Sequence, residues 1–322
     1  MSSLPAPVLA TALAVAGVAA AAPGSILLAR ARWVSRAPTA ALLLWQAVCL
    51  CAGLSLTGAA LVMATEPLGR QLPPAFATGV RNLLTGNGFR GLDGARIVLF
   101  VMAVAFAGHL LTVLLVTIVR AQRRRRQHRA VLDLISGPSG AQDAAVRVLD
   151  EQAPLAWTVP GRRSRLVLTA GLMDLLTDRQ LLAVLAHERA HLSVRHDLLL
   201  VPFQAWATAL PVPGMRAARV AVRALVEMQA DDLAARTVGP QTVASAIAAV
   251  VLADSGDPTK NVQLGDPGSS AAWTAGADST VAARVRRLQP PHPLPRWGSL
   301  LVVVAALLLL AVPTIALFVG WR

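Results

Sequence analysis

The sequence predicts a mainly α-helical membrane protein with four transmembrane helices and one α+β domain on the cytoplasmic side. Three observations support this fold class. The 322 residues are 55% hydrophobic and only 15% charged, which is unusual for a water-soluble globular protein. Four uncharged stretches are long enough to cross a bilayer, and the segment between the third and the fourth is large enough for one soluble domain.

The four apolar stretches each exceed the roughly 20 helical residues needed to cross a ~30 Å hydrocarbon core. They run approximately over Val8–Leu28, Thr39–Thr65, Ile97–Val119 and Gly298–Gly320. A secretory signal peptide is the alternative for the first stretch, because Ala19–Ala22 resembles a cleavage region. Residues 1–29 contain no positive charge, however, and this favours a retained helix.

The positions of the arginines predict the orientation of the spans. Arg30, Arg32 and Arg36 follow the first span closely. Six more follow the third span: Arg120, Arg123, Arg124, Arg125, Arg126 and Arg129. Loops rich in arginine remain in the cytoplasm, so we expect a multi-pass protein of the plasma membrane whose soluble domain is cytoplasmic. The longer loop Glu66–Arg96 then faces outward.

The arginine run Arg123–Arg126 and a net charge of +13 raise the question of a nucleic-acid partner. The run lies directly beside a membrane span and has no interleaved aromatic residues, so it favours contact with anionic lipids of the bilayer over direct nucleic-acid binding. Only two cysteines are present, Cys49 and Cys51, and both lie in an apolar run. They exclude a disulfide framework and are expected to pack as small apolar residues.

These patterns divide the chain into three parts. Residues 1–119 form an N-terminal membrane region with three spans, residues 120–297 the cytoplasmic domain and residues 298–322 the C-terminal span. At the start of the domain, the periodicity predicts helices over Ala130–Ile135 and Ala141–Gln152. Alternating residues in Ala156–Val159 and Arg165–Thr169, separated by Pro160-Gly161, predict a β-hairpin.

Two further segments of the domain are less regular. Asp254–Thr280 is rich in Gly, Ser, Asp and Pro, and we expect a loop there. Leu198–Met215 is apolar but broken by three prolines, which favours a helix lying against the membrane bundle over a fifth span. His109, inside the third span, is either a signalling residue or a neutral histidine bonded to a neighbouring helix, and we favour the second.

The strongest chemical signal is His187-Glu188-Arg189-Ala190-His191. Thr177 and Gln180 form a capping box that starts a helix, and two histidines four residues apart lie on one face of it. Both imidazoles can therefore bind one Zn²⁺, and Glu188 is placed to accept a proton from a zinc-activated water. The alternative is a surface helix without a chemical role. The chain has only six histidines, however, and a solvent-exposed helix face would rarely carry two of them around a glutamate.

A catalytic zinc site needs a third protein ligand. A histidine six residues after His191 would supply it in the metzincin extension, but that position is Asp197, and His196 is expected to face elsewhere as an outer or surface residue. The next helix, Met215–Val238, carries Glu227 and Asp231 on one face. We assign Glu227 as the third ligand and Asp231 as the carboxylate that orients a zinc-bound histidine.

Intrahelical pairing is the alternative for these acidic residues. Arg223 is four residues before Glu227, and Arg236 is four residues after Asp232. Asp231 has Ala235 at that spacing and therefore no such partner. Asp232 is assigned to a surface salt bridge.

The runs Leu166–Leu176, His187–His191 and Glu227–Asp231, together with the arrangement of the spans, resemble the membrane-embedded gluzincin metallopeptidases of the BlaR/MecR type, an antirepressor peptidase family. The resemblance implies that His187, His191 and Glu227 bind zinc and that Glu188 is the general base. The resemblance departs from the family after the last span, where we expect no penicillin-binding sensor domain. The resemblance therefore does not extend to a direct response to β-lactams.

The resemblance implies a regulatory zinc-dependent endopeptidase whose substrate is a cytoplasmic protein, such as a winged-helix repressor. One alternative is a quality-control peptidase similar to the HtpX type, which degrades damaged membrane proteins. The other is a non-catalytic membrane scaffold, against which the complete set of chemical residues argues. We also expect the Arg165–Thr169 strand to hold an extended substrate by pairing along its edge.

Overall fold

The computed structural model describes residues 4–135, 146–161, 164–255, 278–289 and 293–321. Within them the chain is mostly helical, with one small sheet. The helices are α1 Ala6–Ala19, α2 Ser25–Arg30, α3 Pro38–Thr65, α4 Leu72–Leu84, α5 Gly94–Ile135, α6 Ala170–Leu175, α7 Asp178–Val194, α8 His196–Ala209, α9 Pro213–Val238, α10 Pro240–Ser255, α11 Asp278–Leu288 and α12 Arg296–Val319. The strands are β1 Val146–Leu149, β2 Ala156–Val159 and β3 Arg165–Thr169.

Four helical stretches in the described part of the chain are long and apolar enough to cross a membrane, which confirms the predicted number. They are Ala6–Arg30, Pro38–Leu68, Gly94–Gln127 and Arg296–Val319. The first joins α1 and α2 through a π-helical turn, Ala20–Gly24, which contains Pro23. α3 is the central span and packs against α1, α5 and α12. The fully buried Trp45 lies on α3.

The sheet has the order β1-β3-β2. β2 and β3 pair antiparallel, with Val159 opposite Arg165, and this confirms the predicted hairpin. β1 pairs parallel with β3, with Val146 opposite Leu166. The predicted helix Ala141–Gln152 is therefore wrong for the part that lies within the described residues, because residues 146–149 form the strand β1. Val146, Arg147 and Val148 alternate apolar and polar with two β-branched side chains, and the pairing with β3 favours the strand.

The central position of β3 also overturns the expected substrate-binding edge. Both sides of Arg165–Thr169 are already hydrogen bonded, one to β1 and the other to β2. A substrate cannot pair with β3 without displacing one of these strands. In the described chain the outer edges of the sheet belong to β1 and β2.

Two apolar clusters hold the helices of residues 120–297 in place. The first joins the sheet to α7, α9, α10 and α11, and its buried members include Leu168, Val184 and Ile247. The second is shared between the membrane region and the soluble helices, since it joins α3 to α8 and α9. Trp45, Phe203 and Val222 are buried in it.

α8 lies against α5 and α9 and ends before Pro213, the first residue of α9. It is the helix predicted to lie against the membrane bundle, and it is not among the four candidate spans of the described chain. His109 Nε2 lies 3.4 Å from the Ala209 carbonyl oxygen at the end of α8, which agrees with the histidine bonded to a neighbouring helix. Cys49 and Cys51 are buried. The predicted loop Asp254–Thr280 falls mostly outside the described residues.

Candidate metal centre

The helix that carries both histidines begins with the predicted capping box. The Thr177 hydroxyl accepts a hydrogen bond from the Gln180 backbone, and the Gln180 side chain accepts one from the Thr177 backbone at 3.1 Å. These two bonds satisfy donors that a helix start leaves unpaired. α7 then continues for 17 residues and brings His187 and His191 onto one face.

α9 brings Glu227 to the same point. The Nε2 atoms of His187 and His191 are 3.1 Å apart. Glu227 Oε2 lies 3.4 Å from His187 Nε2, and Glu227 Oε1 lies 3.7 Å from His191 Nε2. One potential ligand atom from each of the three residues lies within 4.8 Å of the others.

This spacing fits a zinc ion. Two ligand atoms that each lie 2.0–2.1 Å from a tetrahedral ion are about 3.3–3.4 Å apart. The two Nε2 atoms are 3.1 Å apart, and each lies close to that value from one of the two Glu227 oxygens, at 3.4 Å from Oε2 and at 3.7 Å from Oε1. Glu227 Oε2 is buried and has no hydrogen-bond partner among the described residues, as expected of a carboxylate oxygen whose partner is a cation. His187, His191 and Glu227 could therefore hold the metal.

A second carboxylate lies behind His187. Asp231 Oδ1 is 3.0 Å from His187 Nδ1, so the contact required for orienting this imidazole is present. Both side chains are completely buried. Histidine ligands commonly donate their other N–H to such a carboxylate, which fixes the tautomer and the direction of the ring.

The sequence analysis missed Arg284, which completes this arrangement from α11. Its Nε and Nη2 atoms donate to Asp231 Oδ2 and Oδ1, each at 2.8 Å. Its Nη1 lies 3.8 Å from Glu227 Oε2. The available signal was an arginine on the apolar side of an amphipathic helix, between the buried residues Val281 and Leu288. Such a position predicts a buried partner of opposite charge.

The protonation states follow from burial and from these contacts. Burial alone would lower the pKa of His187, but its close contacts with the Asp231 and Glu227 carboxylates outweigh burial and raise the pKa to about 9. Burial lowers the pKa of His191 to about 3, so that this imidazole is neutral at pH 7. Burial would raise the pKa of Glu227, but His191, His187 and Arg284 lower it to about 2.

Arg284 itself stays charged. Burial alone would lower its pKa, but the carboxylates of Asp231, Glu227 and Glu188 together raise it. Glu188, the expected general base, is fully buried on α7 directly after His187. The cluster therefore combines three carboxylates and one guanidinium around the two imidazoles, without access to bulk water for most of them.

His196 lies behind the candidate ligand His191, which agrees with an outer residue of the site, but the expectation that it faces elsewhere is wrong. This residue is almost fully buried, and its Nδ1 lies 2.9 Å from His191 Nδ1. α7 ends after Val194, and Arg195 takes a left-handed conformation with φ 56° and ψ 47°. The chain therefore turns before His196 and directs it back to His191, which a continuous helix would not do.

Two acidic residues near the site form ion pairs with arginines of other helices. Asp232 accepts a 2.6 Å bond from Arg287 of α11, which agrees with its assignment to a salt bridge at the surface, with a donor from another helix. Asp197 lies 2.9 Å from Arg125 at the end of the third span. At least this arginine of the basic run therefore contacts protein.

Comparison with known proteins agrees with this geometry. Residues 120–253 match the family model of Peptidase family M48, whose members are zinc metallopeptidases. Searches of curated proteins and of solved structures gave no significant match. The matched segment contains all of α7 and α9 and therefore all the potential metal ligands. Residues 120–253, which are less than half of the chain, are therefore similar to a Peptidase family M48 domain, and the described part of the chain contains four apolar helices long enough to span a membrane.

Proposed function

We propose that this protein is a zinc-dependent endopeptidase of the plasma membrane that cleaves a cytoplasmic protein such as a transcriptional repressor. The observation that carries the proposal is the spacing of His187 Nε2, His191 Nε2 and the Glu227 carboxylate, which fits one tetrahedral ion. The Peptidase family M48 match over residues 120–253 supports the chemistry. The arginines that follow the first and third spans support a cytoplasmic domain.

His187, His191 and Glu227 would hold the ion. Zinc in such a site acts as a Lewis acid toward the substrate carbonyl and lowers the pKa of a coordinated water toward ~7. Glu188 accepts the proton of the attacking water on its carboxylate and then donates it to the leaving amine. Asp231 and Arg284 hold His187 in one tautomer, so that its Nε2 lone pair points at the ligand position.

The first experiment measures zinc per chain and cleavage of an unfolded protein, such as casein, in detergent. Wild type should bind one zinc ion per chain and cleave the substrate. Glu227→Ala should lose zinc. Glu188→Gln should keep zinc and lose cleavage, because it removes the proton acceptor and leaves the ligands intact.

Asp232→Asn is the matched control, since it neutralises an acid of the same helix that pairs with Arg287 outside the cluster. It should retain both zinc and activity. Stoichiometric zinc in Glu227→Ala would remove this residue from the ligand set. Full activity in Glu188→Gln would refute its role as the base.

One observation favours the second candidate, quality control of membrane proteins as in the HtpX type. Gln229, two residues from Glu227, bonds to Thr39 at the start of the second span. The site therefore lies close to the membrane boundary, within reach of polypeptide that leaves a bilayer. Comparing the proteins that accumulate in cells with Glu188→Gln and with wild type separates the two: a soluble repressor supports regulation, and misfolded membrane proteins support quality control.

A further inference from the structure

A chain of three polar contacts connects the candidate ligand His191 to a membrane span. His191 Nδ1 lies 2.9 Å from His196 Nδ1. His196 Nε2 lies 2.9 Å from Gln229 Oε1, and Gln229 Nε2 donates to Thr39 Oγ1 at 2.8 Å. His196 belongs to α8, Gln229 to α9, and Thr39 is the second residue of α3.

The chemistry of the groups sets the direction of every bond in this chain. If Nε2 of His191 binds a metal, the proton of the neutral ring must be on Nδ1. His196 Nδ1 then accepts a hydrogen bond from His191 Nδ1–H, and the proton of the neutral His196 ring is on Nε2, which donates to the Gln229 side-chain carbonyl. The Gln229 amide in turn donates to Thr39. All three bonds are satisfied by neutral groups in one arrangement.

Burial makes these contacts costly to lose. His196 is 1% exposed and Gln229 is 8% exposed, so neither side chain can replace a lost partner with bulk water. The rings of His191 and His196 meet edge to face, with an interplanar angle of 84°. This arrangement leaves Nε2 of His191 free to point at Glu227. His196 is not in the ligand cluster of the described residues, since it meets the opposite nitrogen of the ring.

The three helices that carry this series of polar contacts, α3, α8 and α9, also pack against one another. Trp45 of α3, Phe203 of α8 and Val222 of α9 are buried in one cluster. Gln46 Nε2 donates to the Leu199 carbonyl at 3.4 Å, which joins α3 to α8 a second time. A displacement of the start of α3 therefore acts directly on α8 and α9.

We propose that Thr39 positions the metal ligand His191 through Gln229 and His196, so that the first turn of a membrane span belongs to the outer support of the metal centre. His196, Gln229 and Thr39 are positioning residues, because none of them contacts the ion. This proposal rests on the proposed zinc site. It adds a route by which the state of the membrane region changes the affinity for metal.

The test uses the full-length protein in detergent, with zinc affinity measured by competition with a chelator and the ligand geometry followed by the visible absorption of the Co²⁺-substituted protein. Thr39→Val keeps the shape but removes the acceptor of Gln229, and the loss of one net hydrogen bond should weaken zinc binding about two- to tenfold. Thr39→Ser keeps the hydroxyl and should behave as wild type. His196→Ala should weaken binding about 10- to 100-fold, as outer partners of metal ligands do.

A second variant separates positioning from general stability. In His196→Asn the short amide oxygen can still accept from His191, but the side chain no longer reaches Gln229. Thr39→Val should therefore have no additional effect on affinity or on the Co²⁺ spectrum in the His196→Asn background. An equal effect in both backgrounds would overturn the proposal, as would unchanged affinity and spectrum in both Thr39→Val and His196→Ala.

The result for wild type distinguishes failure of the positioning residues from failure of the zinc site itself. If wild type binds zinc and Glu227→Ala does not, but Thr39 and His196 variants bind as wild type does, only the positioning chain is refuted. If wild type itself binds no zinc, the proposed metallopeptidase function fails and the positioning chain fails with it.

Discussion

Arg284→Met tests the charge arrangement behind the metal centre most directly. Arg284 is 3% exposed and donates two 2.8 Å bonds to Asp231, which is completely buried. The substitution keeps most of the side-chain volume but leaves a buried carboxylate without its guanidinium. Removing one partner of a buried pair costs about 3–5 kcal/mol. His187 remains next to Asp231 at 3.0 Å, so we expect the lower part of that range in the zinc-free protein.

The assay is urea unfolding of the zinc-free protein in mild detergent, followed by tryptophan fluorescence. Asp231→Asn alone removes the carboxylate to which Arg284 donates two hydrogen bonds and leaves this buried guanidinium 3.8 Å from Glu227, so it should also destabilise the protein. The double variant removes both charges. Its cost should fall short of the sum of the single costs by up to about 3 kcal/mol, the upper range for groups in direct contact.

The neighbouring pair provides a control on the same two helices. Asp232 and Arg287 are also bonded, at 2.6 Å, but the Asp232 side chain is 36% exposed. Asp232→Asn should therefore cost less than about 1 kcal/mol. The reasoning is refuted if the loss of unfolding free energy in the double variant equals the sum of the losses in the two single variants to within about 0.5 kcal/mol.

Two other predictions concern protonation and the turn between α7 and α8. A histidine binds zinc only as the neutral imidazole, and the pKa of His187 is raised to about 9, so zinc affinity should rise about tenfold per pH unit from pH 7 to 9 and then level off; a flat chelator-competition profile over that interval would contradict it. Arg195→Gly should leave the thermal midpoint in detergent near the wild-type value, because glycine adopts the left-handed conformation without strain. Arg195→Val should lower stability by about 1–2 kcal/mol, and equal midpoints for the two variants would show that the turn is not strained.

Local patterns were sufficient for the parts of the fold that depend on local interactions. Four long apolar stretches predicted the spans, and the Thr177–Gln180 capping box predicted the start of α7. Four-residue spacing placed His187 with His191 and Glu227 with Asp231, and the structure brings these residues together. Each of these rules needs only the period of one helix.

The parts that sequence analysis could not predict depend on contacts between distant segments. Nothing near Val146 indicates its pairing with Leu166, so the local pattern favours a helix over β1 and an edge position for β3. Arg284 reaches Asp231 across 53 residues, and Gln229 reaches Thr39 across 190. The direction of His196 toward His191 has a local cause, the left-handed turn at Arg195, which sequence propensity does not favour in an arginine.

The apolar cluster shared by α3, α8 and α9 has a consequence for biosynthesis. Phe203 and Val222 are covered by a helix that is translated long before them, and this helix becomes available in its final place only after insertion into the bilayer. Residues 120–297 by themselves would present this surface to water and are not expected to fold autonomously. Folding of these residues is thereby tied to the placement of α3, and a nascent chain in which α3 is not yet in place lacks the surface that covers Phe203 and Val222.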